Sequence, residues 1–218
     1  MYQFQRCKTI SNRDKCYTCF RPMSSCMCKY IKPIDTKTKF VILMHPHEFK
    51  KIKNGTGHFT HLSLTNSELY INTSFINHKK VNDLLKNNNC YVLYPSTVSI
   101  VLNDNPLPTN DKDNVIFLID STWHNAKKLL RDSPNIQELP KVSFTHTKAS
   151  EFKIKEQPME LCLSTMESTL CVLELLTLQG NEKLSVTQLK GFLEPFTKMV
   201  EYQLECIKVE KKSPRFRI

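Results

Sequence analysis

Four thiols fall within thirteen residues of this chain: two residues separate Cys16 from Cys19, and one separates Cys26 from Cys28. Two close cysteine pairs supply four thiolates from two tight turns, the donor set of a tetrahedral zinc site. Disulfides are the weaker reading in a reducing compartment, and unrelated free thiols stay open because Cys7 shows that cysteine is common in this stretch. Downstream, three polar runs each follow an apolar stretch: Tyr94-Pro95-Ser96, Asp120-Ser121-Thr122-Trp123 and Leu163-Ser164-Thr165-Met166-Glu167. A carboxylate at such a junction, Asp120 above all, suits proton abstraction or substrate orientation. It equally suits the N-cap of a helix that starts near Thr122, and Glu167 equally suits a capping box with Ser164. His45 and His47 offer metal or phosphate ligands, although four cysteines already complete a zinc shell.

The apolar pattern supplies the elements that must hold these groups. Residues 39–44 (KFVILM), 90–95 (CYVLYP) and 114–119 (NVIFLI) read as buried strands, with 142–145 as another, and Pro46 ends the first. Helical patterns cover 77–88, 122–131, 164–178 and 185–209, the third and fourth opening on capping boxes at Ser164 and Ser185, with Pro195 expected to kink the last. Asn54-Gly55-Thr56-Gly57-His58 holds two of only four glycines, which predicts a loop whose backbone approaches another group closely. Alternating buried strands and helices predict an α/β domain with a mainly parallel sheet, and the polar runs then sit at the strand carboxyl ends, where such sheets hold ligands. Neither a Walker A sequence nor a Gly-x-Gly-x-x-Gly fingerprint occurs, which argues against ordinary nucleotide hydrolysis and dinucleotide redox chemistry.

At 218 residues the chain has room for one domain and a small appendage. Hydrophobic residues at 40% and charged residues at 24% fit a packed globular protein. No apolar run approaches the ~18 residues that a membrane span needs, and the first sixteen residues contain no signal-peptide core, so a cytoplasmic, reducing location and no membrane partner are expected. The formal charge of +10 is uneven. Twelve basic residues from Arg6 to Lys53 face only Asp14, Asp35 and Glu48, which puts +9 in the first sixty positions. A lysine-rich composition accounts for part of the excess but not for its placement, and nucleic acid is the common partner of such a polycation.

The motifs together resemble the DTW-domain family of tRNA-uridine aminocarboxypropyltransferases. The resemblance rests on Cys16-x-x-Cys19-x-Arg21-Pro22-x-x-x-Cys26-x-Cys28, His45-Pro46-x-Glu48, and Asn54-x-Thr56-Gly57. It continues through Leu93-Tyr94-Pro95-Ser96, Asp120-Ser121-Thr122-Trp123-x-x-Ala126, and Gln157-Pro158 leading into Leu163-Ser164-Thr165-x-Glu167, in order over almost the whole chain. The departures are Ser121 in place of a frequent glycine, Phe152 in place of a tyrosine, and Lys155 in place of an arginine; lysine cannot reproduce a bidentate fork to a carboxylate.

The resemblance implies a SPOUT-like, knotted α/β core and transfer of the 3-amino-3-carboxypropyl group of S-adenosylmethionine to N3 of a uridine in tRNA. It implies a donor cradle of Leu93, Tyr94, Pro95, Ser96, Asp120, Thr122, Trp123, Leu163, Ser164, Thr165 and Glu167, with Asp120 as the catalytic carboxylate. Cys16, Cys19, Cys26 and Cys28 are expected to hold a structural zinc ion, and Arg21, His45, Lys50, Lys51 and Lys53 to contact RNA. The expected organisation is a basic zinc-binding segment over 1–38, a catalytic domain over 39–209 and a basic tail over 210–218. Transfer to ribosomal RNA, and a zinc-knuckle RNA-binding protein without catalysis, stand as alternatives.

Overall fold

A computed structural model describes residues 14–50, 55–108, 110–147, 150–151 and 162–212. Six strands run Lys39–Met44 (β1), Ser67–Ile71 (β2), Asn89–Leu93 (β3), Ile100–Val101 (β4), Asn114–Asp120 (β5) and Lys141–Ser143 (β6). The helices are Pro46–Lys50 (α1), Thr56–Leu62 (α2), Lys79–Asn87 (α3), Trp123–Arg131 (α4), Pro134–Gln137 (α5), Thr165–Leu178 (α6), Val186–Phe192 (α7) and Glu194–Lys212 (α8). The strands form one sheet in the order β2-β1-β5-β3-β6-β4, and every pairing is parallel.

The near-continuous apolar runs of β1, β3 and β5 follow from burial on both faces of the sheet. Phe40, Ile42, Ile116 and Leu118 join α6, α7 and α8 on one side, while Val41, Leu43, Val115 and Phe117 join α3, α4 and α5 on the other. Side chains alternate across a strand, so each run feeds two cores. Cys19 and Met27 lie in the first of these cores with Phe59, Met166 and Phe196, so the cysteine segment packs into the domain. Buried Glu182 fastens the following stretch by accepting hydrogen bonds from the amides of Lys37 (2.9 Å) and Thr38 (2.6 Å).

Several elements differ from expectation. Thr56, Gly57 and His58 of the glycine-bearing stretch open helix α2, with Gly55 at its N-cap, rather than forming a loop, and β2 and β4 are strands that the apolar pattern does not announce. The expected strand over 142–145 lies at Lys141–Ser143. The long last helix is two: α7 ends at Phe192 and α8 begins at Glu194, so Pro195 sits in a first turn, where its missing N–H costs nothing. No helix among the described residues is long and apolar enough to cross a membrane.

Candidate active site

β1 and β5 run side by side in a register that sets Met44 opposite Asp120, and both end at the same edge of the sheet. The amide of His45 donates to the Asp120 carbonyl (3.2 Å), which continues the ladder one residue past β1. Ser164 caps α6, and the next residue, Thr165, donates its hydroxyl to Asp120 Oδ1 at 2.6 Å. Gly57 closes the other side: a Cβ there would lie 2.5 Å from Asp120 Cγ and 2.9 Å from its Cβ. The close approach expected of the glycine stretch is therefore an approach to Asp120, through a helix. Asp120 is buried, yet it does not cap α4; that hydrogen bond is accepted by Thr122 from the Asn125 amide at 3.4 Å. The capping alternative for Asp120 falls away.

The three polar runs meet at this edge. Tyr94 follows β3 and Trp123 opens α4, and their rings pack edge to face with centroids 5.9 Å apart. Trp123 keeps 41% of its surface exposed, an unusual allowance for a large indole with a ring neighbour. Burial pushes the Tyr94 phenol up from its ordinary range. Ser96 builds the turn after Tyr94, its carbonyl accepting from the Ser99 amide (3.1 Å) and hydroxyl (2.7 Å). Leu93 packs against the core, Leu163 is half-buried and Pro95 is exposed.

Glu167 does close the capping box, with the Ser164 amide donating to its Oε2 at 2.8 Å. It also accepts from the Ser150 hydroxyl (2.8 Å) and the Glu151 amide (2.8 Å), so this buried carboxylate clamps residues 150–151 to the start of α6. Phe152, Lys155, Gln157, Pro158, Lys51 and Lys53 lie outside the described residues, as does the side chain of Lys50.

Two of the residues expected to contact RNA are buried. Arg21 is 1% exposed: Nε donates to the Ser25 carbonyl (2.9 Å) and the guanidinium lies 5.7 Å from the Phe59 ring centroid, so it pins the cysteine turn onto α2 and does not face solvent. His45 is buried and its Nδ1 accepts from the His47 amide at 3.2 Å. Burial first, and then His47, pushes its pKa down, so it is a neutral group beside the Asp120 backbone and a poor phosphate cation.

The four cysteine sulfurs all lie within 4.8 Å of one another. Cys16 and Cys28 are 3.6 Å apart, and Cys19 and Cys26 are 3.7 Å apart. A tetrahedron with metal–sulfur bonds of ~2.3 Å has edges of about 3.8 Å, so the cluster fits one tetrahedral ion. The Cys19 amide, chiefly, lowers the Cys16 thiol to about 6, while burial raises Cys26 and Cys28. Thiolates balanced against burial in this way are what a metal ion stabilises.

Residues 13–204 match the model of the DTW domain. The chain is 30% identical over 213 residues to tRNA-uridine aminocarboxypropyltransferase 2 of Drosophila melanogaster, covering 94% of this chain and 81% of that protein. It is 27% identical to the protein of the same name in Mus musculus and 24% identical to that in Macaca fascicularis, covering 88% of this chain each time and 64% of each relative, just under two thirds of their length. No solved structure matches. With the Asp120 signature at a strand end, the cysteine cluster assembled and the family model spanning nearly the whole length, the chain belongs to the DTW domain family.

Proposed function

We propose that this chain transfers the 3-amino-3-carboxypropyl group of S-adenosylmethionine to N3 of a uridine in tRNA, giving 3-(3-amino-3-carboxypropyl)uridine and 5′-methylthioadenosine. The observation that carries the reading is Asp120, a buried carboxylate at the end of β5 oriented by Thr165 and backed by Gly57, in a family whose matched relatives bear that activity as their name. When bound, S-adenosylmethionine supplies an electrophilic carbon attached to a sulfonium leaving group. Uridine N3 is a weak nucleophile until its proton leaves, and Asp120 is the group to take it. Thr165 and Gly57 leave the carboxylate little freedom, which presents it to the base in one orientation. The N3–carbon bond forms as the carbon–sulfur bond breaks, its electron pair goes to sulfur, and the proton rests on Asp120. Tyr94 and Trp123 offer the donor an aromatic wall, and Ser164 and Thr165 the polar side of the cradle.

The same reading takes the core as SPOUT-like and knotted, the ion as a structural zinc without an open position, and tRNA in a cytoplasmic setting as the partner of the basic first sixty residues. The divisions at 1–38, 39–209 and 210–218 belong to it too. Purified chain incubated with tRNA and S-adenosylmethionine should release 5′-methylthioadenosine and yield the modified uridine by nucleoside mass spectrometry. Product on ribosomal RNA alone would redirect the reading to that substrate, and no binding of S-adenosylmethionine would sink it.

A further inference from the structure

Helix α4 starts at the candidate site, and beyond Trp123 it takes no part in the account above. Its nine residues (WHNAKKLLR) bury Ala126, Leu129 and Leu130 and leave Trp123, His124, Lys127, Lys128 and Arg131 exposed. At about 100° per residue those five share one arc of roughly 140°, opposite the buried three. Lys127 and Lys128 make no ion pair among the described residues. Arg131 donates through Nε to Asp132 Oδ1 at 3.1 Å, a surface pair of little strength, and its side chain stays 71% exposed.

Helix stability alone does not account for this face. A helix selected for stability gains from acidic residues in its first turn and from acid–base pairs four residues apart. α4 has no acidic residue in its nine positions. The helix dipole favours Lys128 and Arg131 in the last turn, but it gives no reason for Lys127 or for an indole 41% exposed in the first. Charge elsewhere makes the row stand out. With +9 in the first sixty residues and +10 in all, positions 61–218 are nearly neutral, and three of their cations share this one face. The row begins at the edge that holds Asp120. Trp123 stands three residues past Asp120, and its ring packs against Tyr94. Lys128 is felt at the same edge: after burial and His47, its charge helps to lower the pKa of His45, whose amide donates to the Asp120 carbonyl. A strand lying along α4 is therefore led to Asp120. A one-sided row of cations that ends on an aromatic ring fits nucleic acid, with phosphates along the helix and a base at the ring.

We propose that the exposed face of α4 is an RNA-docking surface, on which Lys127, Lys128 and Arg131 hold phosphates that flank the reacting uridine. The choice of RNA as occupant rests on the transfer reading. The test measures binding without turnover: fluorescence anisotropy of a labelled tRNA transcript on the full chain, over a range of salt and without S-adenosylmethionine. Lys127→Gln with Lys128→Gln should weaken binding about tenfold and flatten the log–log salt slope by ~2, about 1 for each lost phosphate contact. The control is Lys183→Gln with Lys190→Gln, an equal change of charge at exposed positions beside and within α7, on the other side of the sheet. That pair should bind tRNA like the native chain, and both pairs should keep the native thermal midpoint. Native affinity and slope in the α4 variant, equal losses in the two variants, or no tRNA binding by the native chain would overturn the proposal, the last in favour of an acidic protein partner. Salt-dependent binding that the α4 pair weakens, in a chain that transfers nothing, supports the surface and overturns only the reaction. Transfer by an α4 variant of native affinity overturns the surface and spares the reaction.

Discussion

Gly57 and Asp120 leave no room for a methyl group between them: a Cβ on the glycine would lie 2.5 Å from the carboxylate carbon. In an exposed helix, alanine at such a place stabilises by roughly 0.5–1 kcal/mol. Here the sign should reverse, because α2 and β5 are both packed and one of them must shift. Gly57→Ala should lose about 1–3 kcal/mol of stability, the usual cost of overpacking. Displacement of Asp120 should slow single-turnover transfer ~10²-fold. Thermal unfolding and rapid-quench kinetics read the two effects separately, and an unchanged rate would mean that the carboxylate need not be so placed.

Asp120→Asn keeps the shape and the hydrogen bond from Thr165 while removing the base. Binding of S-adenosylmethionine and tRNA should stay near that of the native chain, and transfer should slow by ~10²-fold or more. Raising the pH should restore part of the rate, because solvent then takes the N3 proton. Transfer at the native rate would end the base assignment, and equal loss of donor binding would make Asp120 a donor contact.

Protein purified without chelator should contain one zinc ion per chain by elemental analysis. Because Cys19 is 1% exposed and sits in the same core as Phe59 and Phe196, loss of the ion should be felt beyond the turn. Cys16→Ser with Cys19→Ser should abolish metal binding and lower the thermal midpoint of the whole domain. A double variant that folds and melts like the native chain would refute a structural role for the ion.

Acid should loosen the fold near neutrality. Burial, followed by the charge of His58, depresses the pKa of His61, and burial does the same for His45. Folded values below the unfolded value of ~6.5 mean that the unfolded chain binds more protons just under that pH. Stability should therefore fall as the pH drops from 7 through 6.5, and the loss should flatten once the folded values are passed. His61→Gln should show a shallower decline in thermal midpoint over pH 7 to 5.5; an identical slope would assign the effect elsewhere.

What could be read from the chain alone depended on burial. β1, β3 and β5 are covered on both faces and announce themselves as unbroken apolar runs, whereas β2 is a partly exposed edge strand whose sequence, Ser67-Glu68-Leu69-Tyr70-Ile71, has no such run. α2 was hidden by its own glycine, since Gly57 is a poor helix residue retained for contact with Asp120. The cysteine spacing carried through to a convergent set of sulfurs because two short turns fix it locally. Arg21 did not, because residue type predicts a surface guanidinium and only the fold reveals the Ser25 carbonyl and Phe59 ring that receive it. The bond from Thr165 to Asp120 joins residues 45 positions apart and has no local signature.

The place of β5 in the sheet also governs when the site can exist. Without β5, β1 and β2 have no neighbour in common with β3, because it alone stands between them. The first strand must wait some seventy residues for its central partner, a long-range parallel pairing of the kind that folds slowly. Asp120 is the last residue of that joining strand, and the groups that hold it, Gly57 and Thr165, come from opposite sides of it in sequence. If Asp120 is the base, as proposed, an incompletely folded chain thus carries no half-formed centre able to act on RNA. Competence arrives with closure of the sheet, and activity doubles as a report that assembly is complete.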